Sequence, residues 1–199
     1  MSMTMGTGNV KITVSPKTII PTRPCTVAME EDRHSRKAPI AVIGLGSPIM
    51  CDDAVGLRVS QTIEDMGFDD VECHQEAVGG LDILPVVHGY RHAVIVDAIQ
   101  TGNYGPGTVL IFKESDFDDV ITCSSCHDVN LPTAMKIGRQ MDPDIMPDEV
   151  MFVAVEVQDI RTITETMTPE VEGAVDSAVS ATLHVLGMFR NQDRNDRSL

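Results

Sequence analysis

Two adjacent carboxylates, Asp52 and Asp53, a third at Asp97 and an imidazole at His127 are the side chains here whose types suit metal or proton-transfer chemistry. The acidic pair follows an apolar run, Ile40 to Ile43, and a turn, Gly44-Leu45-Gly46-Ser47-Pro48. Glycines permit a tight strand-to-helix turn, which would deliver Asp52 and Asp53 to the carboxyl edge of a sheet. At a helix start the ordinary work of such residues is to cap the helix and offset its dipole, and Asp52 is also a weaker candidate for proton transfer. Asp97 ends the run Ala93 to Val96, which reads as a strand buried on both faces, where an ionised carboxylate is costly unless it meets a cation or several donors. His127 lies in a later loop, and a loop of roughly a dozen residues can extend about 40 Å, far enough to return to the same rim. One imidazole and two carboxylates form a hard-to-borderline ligand set suited to zinc, nickel or a similar divalent ion, with positions left open. Spacing alone leaves that site and a set of ordinary capping carboxylates both open.

Other patterns carry less. Gly44-Leu45-Gly46 begins like a dinucleotide-binding turn, but Ile49 stands at the third glycine position and Pro48 stiffens the loop, so no nucleotide is expected. Cys123-Ser124-Ser125-Cys126-His127 matches the haem-attachment pattern literally. Attachment requires export, and a second C-x-x-C for a zinc site is missing, so no haem is expected and the thiols read as bystanders. His74, His88, His92 and His184 have no partner at metal-ligand spacing, and H-E-x-x-H, G-x-S-x-G and P-loop motifs are absent from the sequence.

The elements that must position these residues alternate. After the strand Ile40 to Ile43 comes an amphipathic helix from Asp52 to about Met66, then a strand Val71 to Glu76, a short helix Leu81 to His88 and the strand Ala93 to Val96. The turn-rich segment Gly102 to Gly107 is too short for a helical crossover, so the strand Thr108 to Phe112 is expected at an edge, antiparallel to its predecessor. A helix near Leu131 to Gln140, a strand Val150 to Val155 and a helix from Pro169 to Phe189, with Thr168 as its N-cap, complete the pattern. The expected fold is a single three-layer α/β/α domain with a mostly parallel sheet of about five strands and one antiparallel edge strand; its sites form at the strands' carboxyl ends.

A length of 199 residues suits one such domain over residues 38–190, with an extension over residues 1–37 and a tail over residues 191–199. The extension mixes Pro, Thr, Ser and Gly without helical or clean strand period and is expected to be loosely attached. Up to Lys37 there are six Lys/Arg against three Asp/Glu; the remainder has nine against twenty-seven, a net of −18. Such an acidic surface repels phosphate backbones and steers basic protein partners, so nucleic acid is not an expected partner. No apolar stretch approaches the roughly 20 residues of a membrane span, and the opening residues lack a signal-peptide core. Five cysteines, an odd number in a chain large enough to need no staples, favour reduced thiols in a cytosol, and the expected protein is a cytoplasmic monomer without membrane insertion.

The run Ile40 to Gly56, with its G-x-G turn and D-D-x-x-G, resembles the N-terminal signature of the hydrogenase maturation endopeptidases. Further matches are Gly80-Leu81-Asp82-Ile83-Leu84, Val94-Ile95-Val96-Asp97-Ala98, Pro106-Gly107-Thr108-Val109 and Ser125-Cys126-His127-Asp128-Val129-Asn130-Leu131, in order across roughly residues 39–190. The resemblance implies an endopeptidase that removes the C-terminal extension of a nickel-loaded [NiFe] hydrogenase large-subunit precursor. It assigns metal contact to Asp53, Asp97 and His127, the expected metal being the substrate's own nickel. Ser47 stands where Asn is usual and Cys51 precedes the acidic pair. The sequence also departs from the family at Ala77-Val78-Gly79-Gly80 and at Val155-Glu156-Val157-Gln158-Asp159, so Gly79, Gly80 and Glu156 are the expected groove residues through which partner choice would differ. A checkpoint or chaperone that binds the loaded precursor without cutting it would use the same ligands and is the alternative.

Overall fold

The computed structural model describes residues 39–116 and 131–196. His127, Cys123 and Cys126, the extension over residues 1–37 and the last three residues of the tail lie outside the described residues.

Strand β1 (Ile40–Leu45) leads through a 3-10 turn (Cys51–Ala54) into helix α1 (Val55–Asp65), and β2 (Val71–Glu76) follows. A second 3-10 turn (Gly80–Ile83) runs into the single turn α2 (Leu84–Val87), then β3 (His92–Ile99) and β4 (Val109–Lys113). Helix α3 (Leu131–Met141), strand β5 (Glu149–Glu156), the single turn α4 (Pro169–Glu172) and the long helix α5 (Val175–Asp196) complete the described chain. These elements form the expected α/β fold, with helices flanking a five-stranded sheet of order β2-β1-β3-β5-β4.

β1 pairs parallel with β2 and β3, β3 pairs parallel with β5, and β4 alone runs antiparallel. Its partner is β5 and not its predecessor β3, which corrects the sequence expectation. The reason lies in burial: seven of eight β5 residues are buried, so β5 needs a neighbour on each side, whereas β4 exposes Ile111 and Lys113 and tolerates the edge. β4 therefore reaches past β5's place, and the later strand fills the gap.

Alternation along the strands sorts side chains between two cores. Ile40 and Val42 of β1 and Val94 and Val96 of β3 pack with Val59 and Ile63 of α1 and with Ala178, Leu186 and Phe189 of α5. Ala41, Ile43 and Leu45, with Ala93 and Ile95, pack against Ile83, Leu84 and Val87 and against Ala134 and Met135 of α3. Asp97 has the parity of Ala93 and Ile95 and so projects toward the second face. Helix α5 runs on to Asp196, past the expected end near Phe189, where Arg91, the residue before β3, holds Asp193 and Asp196 at 2.9 and 2.6 Å.

Candidate functional site

The sheet order reverses between β1 and β3: from β1 the chain goes outward to β2, then returns to β3 on the other side. Crevices at the carboxyl ends of such strands accept ligands because the loops there diverge. Pairing between β1 and β3 stops at Gly44 and Val96, so Asp97 is the first β3 residue without a β1 partner and sits at the mouth of the crevice. It lies within the strand and does not follow it, since β3 continues beside β5 to Ile99.

Two glycines bring Asp53 to the same place. Gly46 has φ of +137°, and a Cβ there would lie 1.8 Å from the Asp53 carbonyl oxygen. Gly56 rests directly on the sheet, where an added Cβ would meet the carbonyl oxygens of Leu45 and Val96 at 2.3 and 2.4 Å. Asp53 precedes Gly56 by one helical turn, so both share a face toward β1 and β3. The D-D-x-x-G spacing is thus mechanical: glycine lets the helix start touch both strand ends, and the carboxylate one turn earlier is carried over the crevice. There Ser47 N–H donates to Asp53 Oδ2 at 2.7 Å.

Asp97 is pushed up to about 7, first by burial and then by the negative charge of Asp53, while the Ala98 N–H, 2.8 Å from Oδ1, works in the opposite direction. With the Asp53 charge set against Asp97 in this crevice, the two carboxylates form an oxygen-donor set whose repulsion a divalent cation would relieve. Among the described residues no three His, Cys, Asp or Glu side chains stand together as a metal site. The expected third ligand, His127, lies outside the described residues.

Asp52 faces the other way. It is fully buried, and its carboxylate accepts from the N–H groups of Gln158 at 3.3 Å, Asp159 at 3.0 Å and Thr168 at 2.7 Å, and from the Thr168 hydroxyl at 3.0 Å. A buried carboxylate is tolerable when donors replace its water, and four do so here. Asp52 therefore ties the 3-10 turn to the end of β5 and to the start of α4. Thr168 has the extended backbone of an N-cap, but its hydroxyl goes to Asp52 and makes no cap bond of its own. Nothing in the sequence marks Gln158, Asp159 and Thr168 as partners of Asp52, because the bonds span more than 100 residues and three of the four donors are backbone amides.

The groove candidates divide. Gly79 and Gly80 follow β2 on the same rim; Gly80 is buried with φ of +59° and Gly79 is half-buried. Glu156 is 2% exposed, and its carboxylate accepts from Thr101 N–H at 2.9 Å, Thr101 Oγ1 at 2.7 Å and Gly102 N–H at 2.8 Å. It closes the loop after β3 from within and does not line an open groove. Of the histidines set aside from the sequence, His74 pairs with the Tyr90 hydroxyl at 2.7 Å, and His92 stacks on Phe189 and meets Asp193 at 3.0 Å.

The family model described as HycI, hydrogenase maturation protease, matches residues 77–185. The hydrogenase 2 maturation protease of Escherichia coli is 25% identical over 150 residues, covering 74% of this chain and 90% of that protein. Among solved structures, the hydrogenase maturating endopeptidase HybD from E. coli superposes with a TM-score of 0.63 at 25% identity, covering 75% of this chain and 92% of that one. The [NiFe] hydrogenase maturation protease HybD from Thermococcus kodakarensis shares the fold with a TM-score of 0.60 at 23% identity, covering 73% and 97%.

Proposed function

Given that the chain belongs to the hydrogenase maturation protease family, we propose that it cuts the C-terminal extension from a [NiFe] hydrogenase large-subunit precursor that already carries nickel, using Asp53, Asp97 and His127 to contact that nickel. The observation that supports the contact site is the meeting of Asp53 and Asp97 at the sheet's switch point, where each charge opposes the other. Carboxylate oxygens with a histidine nitrogen suit a borderline divalent ion that still holds open positions. On this reading the metal is part of the substrate. Asp53 is held by the Ser47 amide and Asp97 by β3, so both oxygens stand ready before the precursor arrives and little ordering cost is left to binding.

The reaction itself is hydrolysis of one peptide bond: water adds across the C–N bond, leaving a new carboxylate on the large subunit and a free amine on the released peptide. Asp52 is committed to four donors, so its part in this scheme is support of the turn that carries Asp53. No helix among the described residues is long and apolar enough to cross a membrane, and Cys51 and Cys73 are free. Burial pushes the Cys73 thiol up to about 11, which makes it a poor nucleophile.

The test is to incubate the purified chain with nickel-loaded and nickel-free precursor and weigh the products by mass spectrometry. Loss of a C-terminal peptide from the loaded form alone is the expected result, and a His127→Ala variant with unchanged circular dichroism should leave the precursor intact. A loaded precursor that binds and stays whole would replace the endopeptidase with a non-cleaving checkpoint. Cleavage by the His127→Ala variant would remove that residue from the contact site.

A further inference from the structure

Isoleucine is among the residues most often buried, yet Ile49 is 50% and Ile163 78% exposed, and both stand at the rim that carries Asp53. Their exposure is built in. Met50 and Thr164 form a parallel bridge; Thr164 N–H donates to the Ile49 carbonyl at 3.0 Å and Cys51 N–H to the Thr164 carbonyl at 2.9 Å. In that register Ile49 lies opposite Ile163, one residue before the bridge on each strand-like segment, so the two side chains share a face.

Both segments are anchored below. Asp159 receives the N–H groups of Arg161 and Thr162 at 2.9 Å each, closing a turn before Ile163, while Asp52 holds the Gln158 and Asp159 amides. Val157 and Met167 are buried at the two ends of the loop and Ile160 packs against the core, so the loop has its apolar anchors inside and presents Ile163 outward in addition. Asp53 N–H donates to the Met50 carbonyl at 3.1 Å, which makes the bridge and the carboxylate parts of one turn.

We propose that Ile49 and Ile163 form a preorganised apolar prong that seats in a hydrophobic recess of the large-subunit precursor next to its metal, and so sets which precursor is accepted. This inference rests on the function proposed above and names the protein surface that the same site would use. Three observations point to that occupant. The prong shares its turn with Asp53, so a surface that covers it also lies over the crevice. A second copy of the chain would meet a net charge of −15 with another, and would close the crevice on both. An anionic lipid surface is disfavoured by the same charge. A rigid apolar anchor costs little ordering entropy, which is how a few residues come to dominate an interface.

The experiment compares the parent chain with Ile49→Ser, Ile163→Ser and the double variant. It measures binding of the nickel-loaded precursor by biolayer interferometry, then KM and kcat for processing. Both positions are exposed, so the melting temperatures should stay within a few degrees of the parent. The expected result is binding weakened roughly 10- to 100-fold in the double variant, KM raised alike and kcat within about twofold, since the carboxylates are untouched. Unchanged binding overturns the prong whether or not the parent cuts. A fall in kcat with KM unchanged overturns it too, as does a parent dimer that the substitutions dissociate. A parent that binds without cutting removes the endopeptidase reading alone, and weaker binding by the double variant then still upholds the prong.

Discussion

Asp52 and Asp53 share a residue type and a peptide bond, yet one is wholly occupied by four donors and the other is carried over a crevice. The family resemblance singled out Asp53 for metal contact, but the structural work of Asp52 was not legible in the sequence, because its donors come from segments more than 100 residues away. Asp97 was legible, since an acidic residue at the end of an apolar run has few inexpensive explanations. Its burial and the neighbouring charge have a consequence for stability. The folded protein holds the Asp97 proton up to about pH 7, whereas an unfolded carboxyl releases it near the ordinary value of 3.8. The folded state therefore binds more protons between these values, and the stability this provides is complete below the unfolded value and lost as pH rises through the folded one. Without divalent ions, Asp97→Asn should be more stable than the parent at pH 8, on the order of 2 kcal/mol, with the two converging near pH 4. Melting curves over that range check it; parallel curves would contradict it. Such a variant should also fail to process precursor, trading function for stability.

At the scale of elements, strand-turn-helix units were legible wherever periodicity and glycine agreed. β2 falls on the expected Val71–Glu76, but the segment before α1 is a 3-10 turn, and Cys51 there has φ of +51°. No pattern in Met50-Cys51-Asp52 signals that conformation, because the bridge to Thr164 imposes it from a distant segment. Glycine roles can be compared directly. Gly56→Ala forces a Cβ against two backbone oxygens that cannot yield separately, and a loss of about 3 kcal/mol or more is expected. Gly187→Ala, in the middle of α5 with nothing within 4 Å of the new Cβ, should gain roughly 0.4–1 kcal/mol from restriction of the unfolded chain. Urea unfolding of both variants tests the pair; similar gains in the two would mean that helix propensity, and not the approach to the strands, governs these positions.

For the molecule as a whole, the alternation of apolar runs and amphipathic stretches was enough to give the α/β class and the rim at which the carboxylates meet. The position of β4 was not, because the sequence shows only a short connection to β3 and cannot show that the later, more thoroughly buried β5 will take the inner place. The expected ligand His127 was singled out in the sequence, and it lies outside the described residues.

The buried Asp52 junction joins residues separated by 106, 107 and 116 positions. Contacts of such separation close late in folding, since the loops between them cost entropy until the intervening elements are in place. The turn that bears Asp53 would thus reach its final shape only after β5 has docked and α4 has begun. In refolding from urea, recovery of precursor cleavage should follow the slowest phase seen by far-ultraviolet circular dichroism, and activity appearing in an earlier phase would show the turn to be self-sufficient. A chain still emerging from the ribosome would then be unable to act on a precursor until nearly all of its sequence had been made.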